Sequence, residues 1–292
     1  MLVFLFFSTV VATLGWLVYF CVDSLQRKLI FVGFAKGVKF ESTYNLKEIN
    51  LPLKAIELQG WQFRKKQTQS NIVILYFGGN AGNVARNMKQ FISLDVKAVY
   101  SFNYRGYGNS GGAPSQKHLY QDALSIYDFV KKQNTQSEIL VIGRSLGSAV
   151  ASYVSAHRKV CGSILLTPLK SISAIAREQY PRLPVSLLLY HPFVIERYVK
   201  NFQAPTLVAL ATDDLRIPVE HSLHTFHSIN AEKELLRLDG ANHDNIFTFP
   251  QLMQGIESFV GKLNYREHCR SNVVPDTINN EAEQESEICF SV

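Results

Sequence analysis

The chain of 292 residues is poor in cysteine, with only Cys21, Cys161, Cys269 and Cys289. These stand far apart, without CxxC or zinc-ligand spacing, which argues against a disulfide scaffold and against a cysteine metal site. Charged side chains are sparse at 18%, against 47% hydrophobic residues, so the chain is not of the disordered class. No internal repeat and no low-complexity linker divides it. The first 22 residues carry no charged side chain at all. A cleaved signal peptide would want a basic start and small residues before the cut, and Val18-Tyr19-Phe20-Cys21 is bulky. The same bulk argues against a lipid-modified Cys21.

What the first 22 residues do offer is length. As a helix they reach about 33 Å, enough to cross a bilayer core, so residues 1–22 are predicted to be a transmembrane anchor. Arg27 and Lys28 flank its C-terminal end, which by the positive-inside bias puts the body on the cytoplasmic side. The net charge is +6, unevenly spread. Residues 266–292 hold two Arg against one Asp and five Glu. They are polar and acidic, lack helical periodicity, and read as a disordered tail. The basic remainder suits an anionic membrane surface or nucleic acid, and composition alone does not choose. Residues 23–265 are left as one folded body, long enough for a substantial core.

Within that body, short apolar runs alternate with amphipathic stretches. The runs are Ile72–Phe77, Ala98–Phe102, Ile139–Ile142, Gly162–Leu166, Thr206–Leu210 and Glu234–Leu238. Most read as strands buried on both faces, as a parallel sheet requires. Leu119, Ala123, Ile126, Tyr127 and Val130 recur at helical spacing after a Ser115 N-cap candidate, and Pro250 to Leu263 predicts a last helix. The alternation implies an α/β fold with a mostly parallel sheet. Residues 37–65 are expected to add antiparallel edge strands, with Ala55–Phe63 the best candidate. About forty residues, 167–205, separate two strands, which is long for one crossover. They read either as an extra helix pair closing the core or as an apolar lid.

Gly143-Arg144-Ser145-Leu146-Gly147 matches G-x-S-x-G, with an apolar strand before it and a small-residue helix after it. That context makes a strand-to-helix turn that would present the Ser145 hydroxyl at the C-terminal edge of the sheet. Serine needs a base, and the base needs an orienting acid. Asp213 and Asp214 follow one strand and His243 follows the next, so all three residue types fall at one sheet edge in the order Ser, acid, His. Spacing does not separate Asp213 from Asp214. His118, His157 and His191 fall in helical or lid-like stretches. His221, His224 and His227 recur every three residues without a carboxylate-rich partner set, and read as a solvated helix face rather than a metal stripe. An oxyanion would be met by the Leu146 N–H and by a donor from Gly78-Gly79-Asn80-Ala81-Gly82-Asn83. That loop lacks the Lys-Ser/Thr of a phosphate-binding loop. Gly106-Tyr107-Gly108-Asn109-Ser110-Gly111 imitates a dinucleotide fingerprint, but the helix begins only near Ser115.

Over residues 23–263 these segments resemble the α/β-hydrolase superfamily, and more closely its membrane-anchored, bud-emergence-like serine hydrolases. The resemblance rests on Leu75–Asn83, Asn103-Tyr104-Arg105-Gly106-Tyr107-Gly108-Asn109-Ser110, Gly143–Ala149, Asp214-Leu215-Arg216-Ile217-Pro218 and Gly240-Ala241-Asn242-His243. It implies Asp214 as the acid, through the family pattern D-x-x-[IV]-P, and Asn80 as the second oxyanion donor. The family's usual His-Gly before that residue is Gly78-Gly79 here, and its His-Gly-Thr before the acid is Leu210-Ala211-Thr212. The expectation is a serine hydrolase of esters, thioesters or amides with triad Ser145, His243 and Asp214. It needs no metal or cofactor. Its expected partners are a membrane and a lipid-like acyl substrate, not nucleic acid. The rival expectation is a catalytically idle scaffold used for binding.

Overall fold

In the computed structural model the chain is described over residues 2–33 and 46–272. The elements run α1 (Leu2–Ile30), β1 (Lys47–Pro52), β2 (Glu57–Arg64), β3 (Ile72–Phe77), α2 (Val84–Met88), β4 (Ala98–Phe102), α3 (Gln116–Gln133), β5 (Glu138–Arg144) and α4 (Leu146–His157). They continue with β6 (Gly162–Leu166), α5 (Ile172–Gln179), α6 (Val185–Leu188), α7 (Glu196–Val199), β7 (Thr206–Ala211), α8 (Val219–Ser228), β8 (Lys233–Leu238) and α9 (Pro250–Asn272). The strands form one sheet in the order β1-β2-β4-β3-β5-β6-β7-β8. β2 pairs antiparallel with both β1 and β4, and all other neighbours are parallel. β1 and β2 realise the predicted antiparallel strands, with β1 at the sheet edge; residues 37–45 of that expectation lie outside the described residues.

The chain steps outward from β3 to β4 and then returns to β5 on the other side of β3. Loops leaving β3 and β5 therefore diverge, and a crevice opens at the C-terminal ends of these strands. Burial on both faces explains the continuous apolar runs. In β3, Val73, Leu75 and Phe77 join one core layer while Ile72, Ile74 and Tyr76 join the other. The first layer takes the buried face of α3, including Leu119, Ala123, Ile126 and Val130. Ser115 Oγ caps that helix by accepting the His118 N–H at 3.2 Å. The opposite layer takes Leu252, Ile256, Phe259 and Leu263 of α9. β8 is an edge strand, so its side chains are mostly half-buried or exposed.

Both ends of the body extend further than expected. α1 continues to Ile30, past position 22, because its last turns pack on the body, with Gln26, Ile30 and Phe31 buried. Its Phe7–Ile30 portion is long and apolar enough to cross a membrane. α9 continues to Asn272, past position 265, where Arg266 pairs with Glu232 at 2.7 Å. That helical backbone over 266–272 corrects the reading of this stretch as lacking helical character, and residues 273–292 lie outside the described residues. Between β6 and β7 the chain divides its labour. Phe193, Ile195, Val199 and Phe202 enter the core, while most of 177–190 stays exposed.

The reading of His221 and His224 as a solvated face is also corrected. His221 is buried, with Nε2 at 2.9 Å from Glu178, and His224 Nε2 lies 3.2 Å from Glu196. Each therefore ties α8 to the inserted segment, to α5 and α7 respectively. Among the described residues, no group of three or more His, Cys, Asp or Glu gathers to hold a metal.

His191 is buried between α1 and the inserted segment, with Nε2 at 3.3 Å from Asp23. Burial and the nearby Arg27 guanidinium push its pKa below the ordinary imidazole value, against the pull of Asp23. A histidine depressed in the folded state favours unfolding once protons are available. Its contribution is present above the unfolded pKa and lost as pH falls below about 6.5. Thermal melts of the full chain from pH 7.5 to 5.5 are expected to fall more steeply for wild type than for His191→Gln; parallel slopes would refute this.

Candidate active site

Ser145 stands between β5 and α4, at the N-cap of α4, with φ +53° and ψ −122°. Such a backbone costs about 1–3 kcal/mol and persists only where the surroundings impose it. Two main-chain bonds do so: Ser145 N–H donates to the Leu166 carbonyl at 2.9 Å, and its carbonyl accepts from Ser148 N–H at 2.8 Å. The neighbouring glycines are required by space. A Cβ at Gly143 would strike the Gly147 carbonyl, and one at Gly147 would strike the carbonyls of Phe77 and Gly78. The start of α4 is thus pressed directly on the end of β3.

The acid and the base come from adjacent loops that are laced together. Asp213 N–H donates to the Ala241 carbonyl and Gly240 N–H donates to Thr212 Oγ1, both at 2.8 Å. The structure separates the two aspartates. Asp213 is exposed, whereas Asp214 is buried and its Oδ2 lies 2.7 Å from His243 Nδ1. Asp214 Oδ1 accepts the backbone N–H groups of Arg216 and Ile217 at 2.9 and 2.8 Å. A carboxylate held this way keeps its second oxygen aimed at the ring. It holds a proton on Nδ1 and leaves Nε2 as the basic atom.

The His243 loop is stiffened on both sides. Asn242 Oδ1 accepts from Asp244 and Asn245 N–H at 3.0 Å, and Asn245 Oδ1 accepts from Asn242 N–H at 2.7 Å. Arg144, the residue before Ser145, donates through its guanidinium to the His243 carbonyl and lies over the Phe247 ring. That contact ties the serine turn to the histidine loop. Ser145 and His243 are both buried at this edge, and among the described residues no hydrogen bond joins the Ser145 hydroxyl to His243. Unliganded sites commonly leave this bond unmade until substrate is bound.

The candidate oxyanion residues flank the serine. Leu146 is the first residue of α4, so its N–H belongs to the orphan donors of a helix start. A Cβ added to Gly79 would lie 3.5 Å from Ser145 Cβ, which puts the loop carrying Asn80 against the serine. That loop is braced by residues that sequence reasoning did not single out for this role. Tyr104 Oη donates to the Gly78 carbonyl at 2.8 Å, and Gly33 N–H donates to the Asn80 carbonyl at 2.9 Å. Tyr104 and Arg144 each stand inside a sequence motif, but their contacts, like that of Gly33, depend on segments distant in sequence. The glycines after β4 form a loop with positive φ at Gly106, Gly108 and Gly112, and α3 starts only at Gln116. They do not open a helix as a dinucleotide site would.

Because neither carbonyl facing Gly147 belongs to a flexible side chain, Gly147→Ala is expected to lower unfolding stability by about 3 kcal/mol. Chemical denaturation of the full chain in detergent checks this, and a loss below about 1 kcal/mol would contradict the close approach.

Comparison with known proteins agrees with this architecture. A family model described as serine aminopeptidase, S33 (Hydrolase_4) matches residues 77–189. The uncharacterized protein Rv2307c of Mycobacterium tuberculosis is 29% identical over 242 residues, covering 80% of this chain and 84% of that one. Lysophosphatidylserine lipase ABHD12 of Macaca fascicularis is 28% identical over 232 residues, covering 66% of this chain and 56% of that protein. Est1E from Butyrivibrio proteoclasticus superimposes with a TM-score of 0.63 at 17% identity, covering 74% of this chain and 98% of that chain. The Pyrococcus furiosus esterase Pf2001 does so with a TM-score of 0.61 at 18% identity, covering 80% of this chain and 96% of that chain. The two structures speak for the fold, and the family match and the lipase relative for the chemistry: this chain is a serine hydrolase with the α/β-hydrolase fold.

Proposed function

We propose that this chain is a membrane-anchored member of the bud-emergence-like branch and cleaves carboxylic ester or thioester bonds of lipid-like acyl substrates. The observation that carries the reading is the 2.7 Å contact between buried Asp214 and His243 Nδ1, on a loop tied through Arg144 to the strained Ser145 turn. His243 Nε2 takes the hydroxyl proton as Ser145 Oγ attacks the acyl carbonyl. Asp214 keeps the ring oriented and stabilises the imidazolium. The N–H groups of Leu146 and Asn80 meet the oxyanion, where one donor is worth about 3 kcal/mol of barrier. His243 then protonates the departing alcohol or thiol. Water, activated by the same base, breaks the acyl-enzyme to free acid and Ser145. The scheme calls on neither metal nor cofactor.

The apolar helix Phe7–Ile30 and the exposed apolar stretch near residues 180–190 support a membrane location and a lipid-like substrate. The similarity to a lysophosphatidylserine lipase points the same way. Arg27 and Lys28 at the C-terminal end of α1 support a body on the cytoplasmic side.

Fluorophosphonate labelling of membranes carrying wild type beside Ser145→Ala tests the nucleophile. Wild type is expected to label and Ser145→Ala to stay dark. Turnover of a short acyl ester should fall by about 10³-fold or more in both Ser145→Ala and Asp214→Asn. A folded wild type that never labels would leave the binding-scaffold reading standing. Arg144→Ala tests the tie between the loops. It is expected to lower kcat about 10- to 100-fold with KM little changed, and Arg144→Lys should recover part of the loss. Unchanged kinetics in Arg144→Ala would remove Arg144 as a positioning residue.

A further inference from the structure

The large apolar side chains exposed to solvent are not scattered. Among the described residues, all but Leu215, Leu235 and Tyr265 lie on α1, at its exit, or between residues 180 and 190. In that last stretch Tyr180, Leu183, Leu187, Leu188 and Tyr190 are exposed, and Leu187 is 80% so. A patch this concentrated on a folded body marks an interaction surface.

What covers it follows from where it is fastened. Gln26 is buried and bonds the stretch twice through its backbone. Its Nε2 donates to the Leu188 carbonyl at 2.6 Å, and its Oε1 accepts the Tyr190 N–H at 2.8 Å. Asp23 adds the contact to His191 at 3.3 Å. The Tyr19 and Tyr190 rings lie 4.7 Å apart between centroids. The stretch is therefore held alongside residues 19–26, inside the Phe7–Ile30 apolar span rather than beyond its end. Tyr19 stands only about 16 Å of helix before Ile30.

We infer that the 180–190 stretch is a second membrane contact, seated in the bilayer interface beside the anchor, so that the substrate side of the sheet faces the lipid. This rests on the anchor reading given above but not on the identity of the triad. Three further features fit a lipid surface. Leu25 and Leu29 of α1 and Val32 just beyond it continue the exposed apolar surface. Tyrosines at 19, 180 and 190 suit the headgroup level. Arg177, Arg182 and Lys28 are exposed around the patch and suit anionic headgroups. The insertion that carries this stretch begins just after β6, whose Leu166 carbonyl accepts the Ser145 N–H, so a membrane-resident acyl chain is expected to enter the site from this side.

The test uses the full chain in vesicles of phosphatidylcholine and phosphatidylglycerol, with and without brominated phosphatidylcholine. The chain has two tryptophans, Trp16 on α1 and buried Trp61 in β2, so position-specific quenching is readable. In the double variant Trp16→Phe, Leu187→Trp, emission from the new indole is expected to drop about twofold with shallow bromines. The single variant Trp16→Phe, which keeps only Trp61, should hardly change and checks that the body is folded. An indole at 187 that aqueous iodide quenches and bromolipid does not would overturn the inference. So would one shielded from both, which would instead place a second copy or a protein on the patch. Wild-type Trp16 separates the two claims. If bromolipid quenches it while position 187 is untouched, the anchor stands and the second contact falls. If Trp16 is not quenched either, the anchor reading falls and takes this inference with it.

Discussion

Ser145 is held at φ +53° between β5 and α4, a backbone that an L-residue avoids unless neighbours impose it. The rest of the site depends on that constraint. Without it the hydroxyl would lie along the strand or turn into the helix. The strain is offset by two main-chain hydrogen bonds and by the close seat of α4 on the end of β3, which only glycine at 143 and 147 permits. Parallel neighbours on both sides of β5 keep the strand from relaxing.

The same edge gathers the other groups by a second device, the lacing of loops. The loops after β7 and β8 share backbone and threonine bonds, so Asp214 and His243 move as one unit. Arg144 then joins that unit to the serine turn. On the other side, Tyr104 and Gly33 hold the Gly78–Asn80 loop from β4 and from the exit of α1. Charge is used locally: Asp214 is buried yet accepts three hydrogen-bond partners, which is what allows a carboxylate to lie away from water.

The contact of Gly33 with Asn80 and the contacts of Gln26 with the 180–190 stretch make α1 more than a tether. Its last turns are fastened to the 180–190 stretch, and Gly33 just beyond them to the Asn80 loop. A helix attached only by a flexible linker would leave Gln26, Ile30 and Phe31 in solvent, whereas all three are buried. Asp23 lies 2.6 Å from the Arg27 guanidinium and 3.3 Å from the His191 ring, so the charge pair near this apolar helix end is Asp23 with Arg27.

Much of this was legible in the primary structure. Apolar runs buried on both faces point to a helix-covered parallel sheet, so β3 to β7 and the position of Ser145 could be read from local patterns, while β8 at the edge is only half-buried. The order of serine, acid and histidine after successive strands followed from the same logic. Distance in sequence hid the rest. The choice of Asp214 by contact is a matter of which carboxylate is buried, since both neighbours follow the same strand. The partners of His221 and His224 are carboxylates more than twenty residues away, and no period reveals them. Arg144, Gly33 and Gln26 look unremarkable in the chain. Local periodicity and turn chemistry thus determined the elements and the chemistry-bearing residues at their ends. Which side chains met, and how the last turns of α1 came to pack on the body, were decided only when packing brought remote segments into contact.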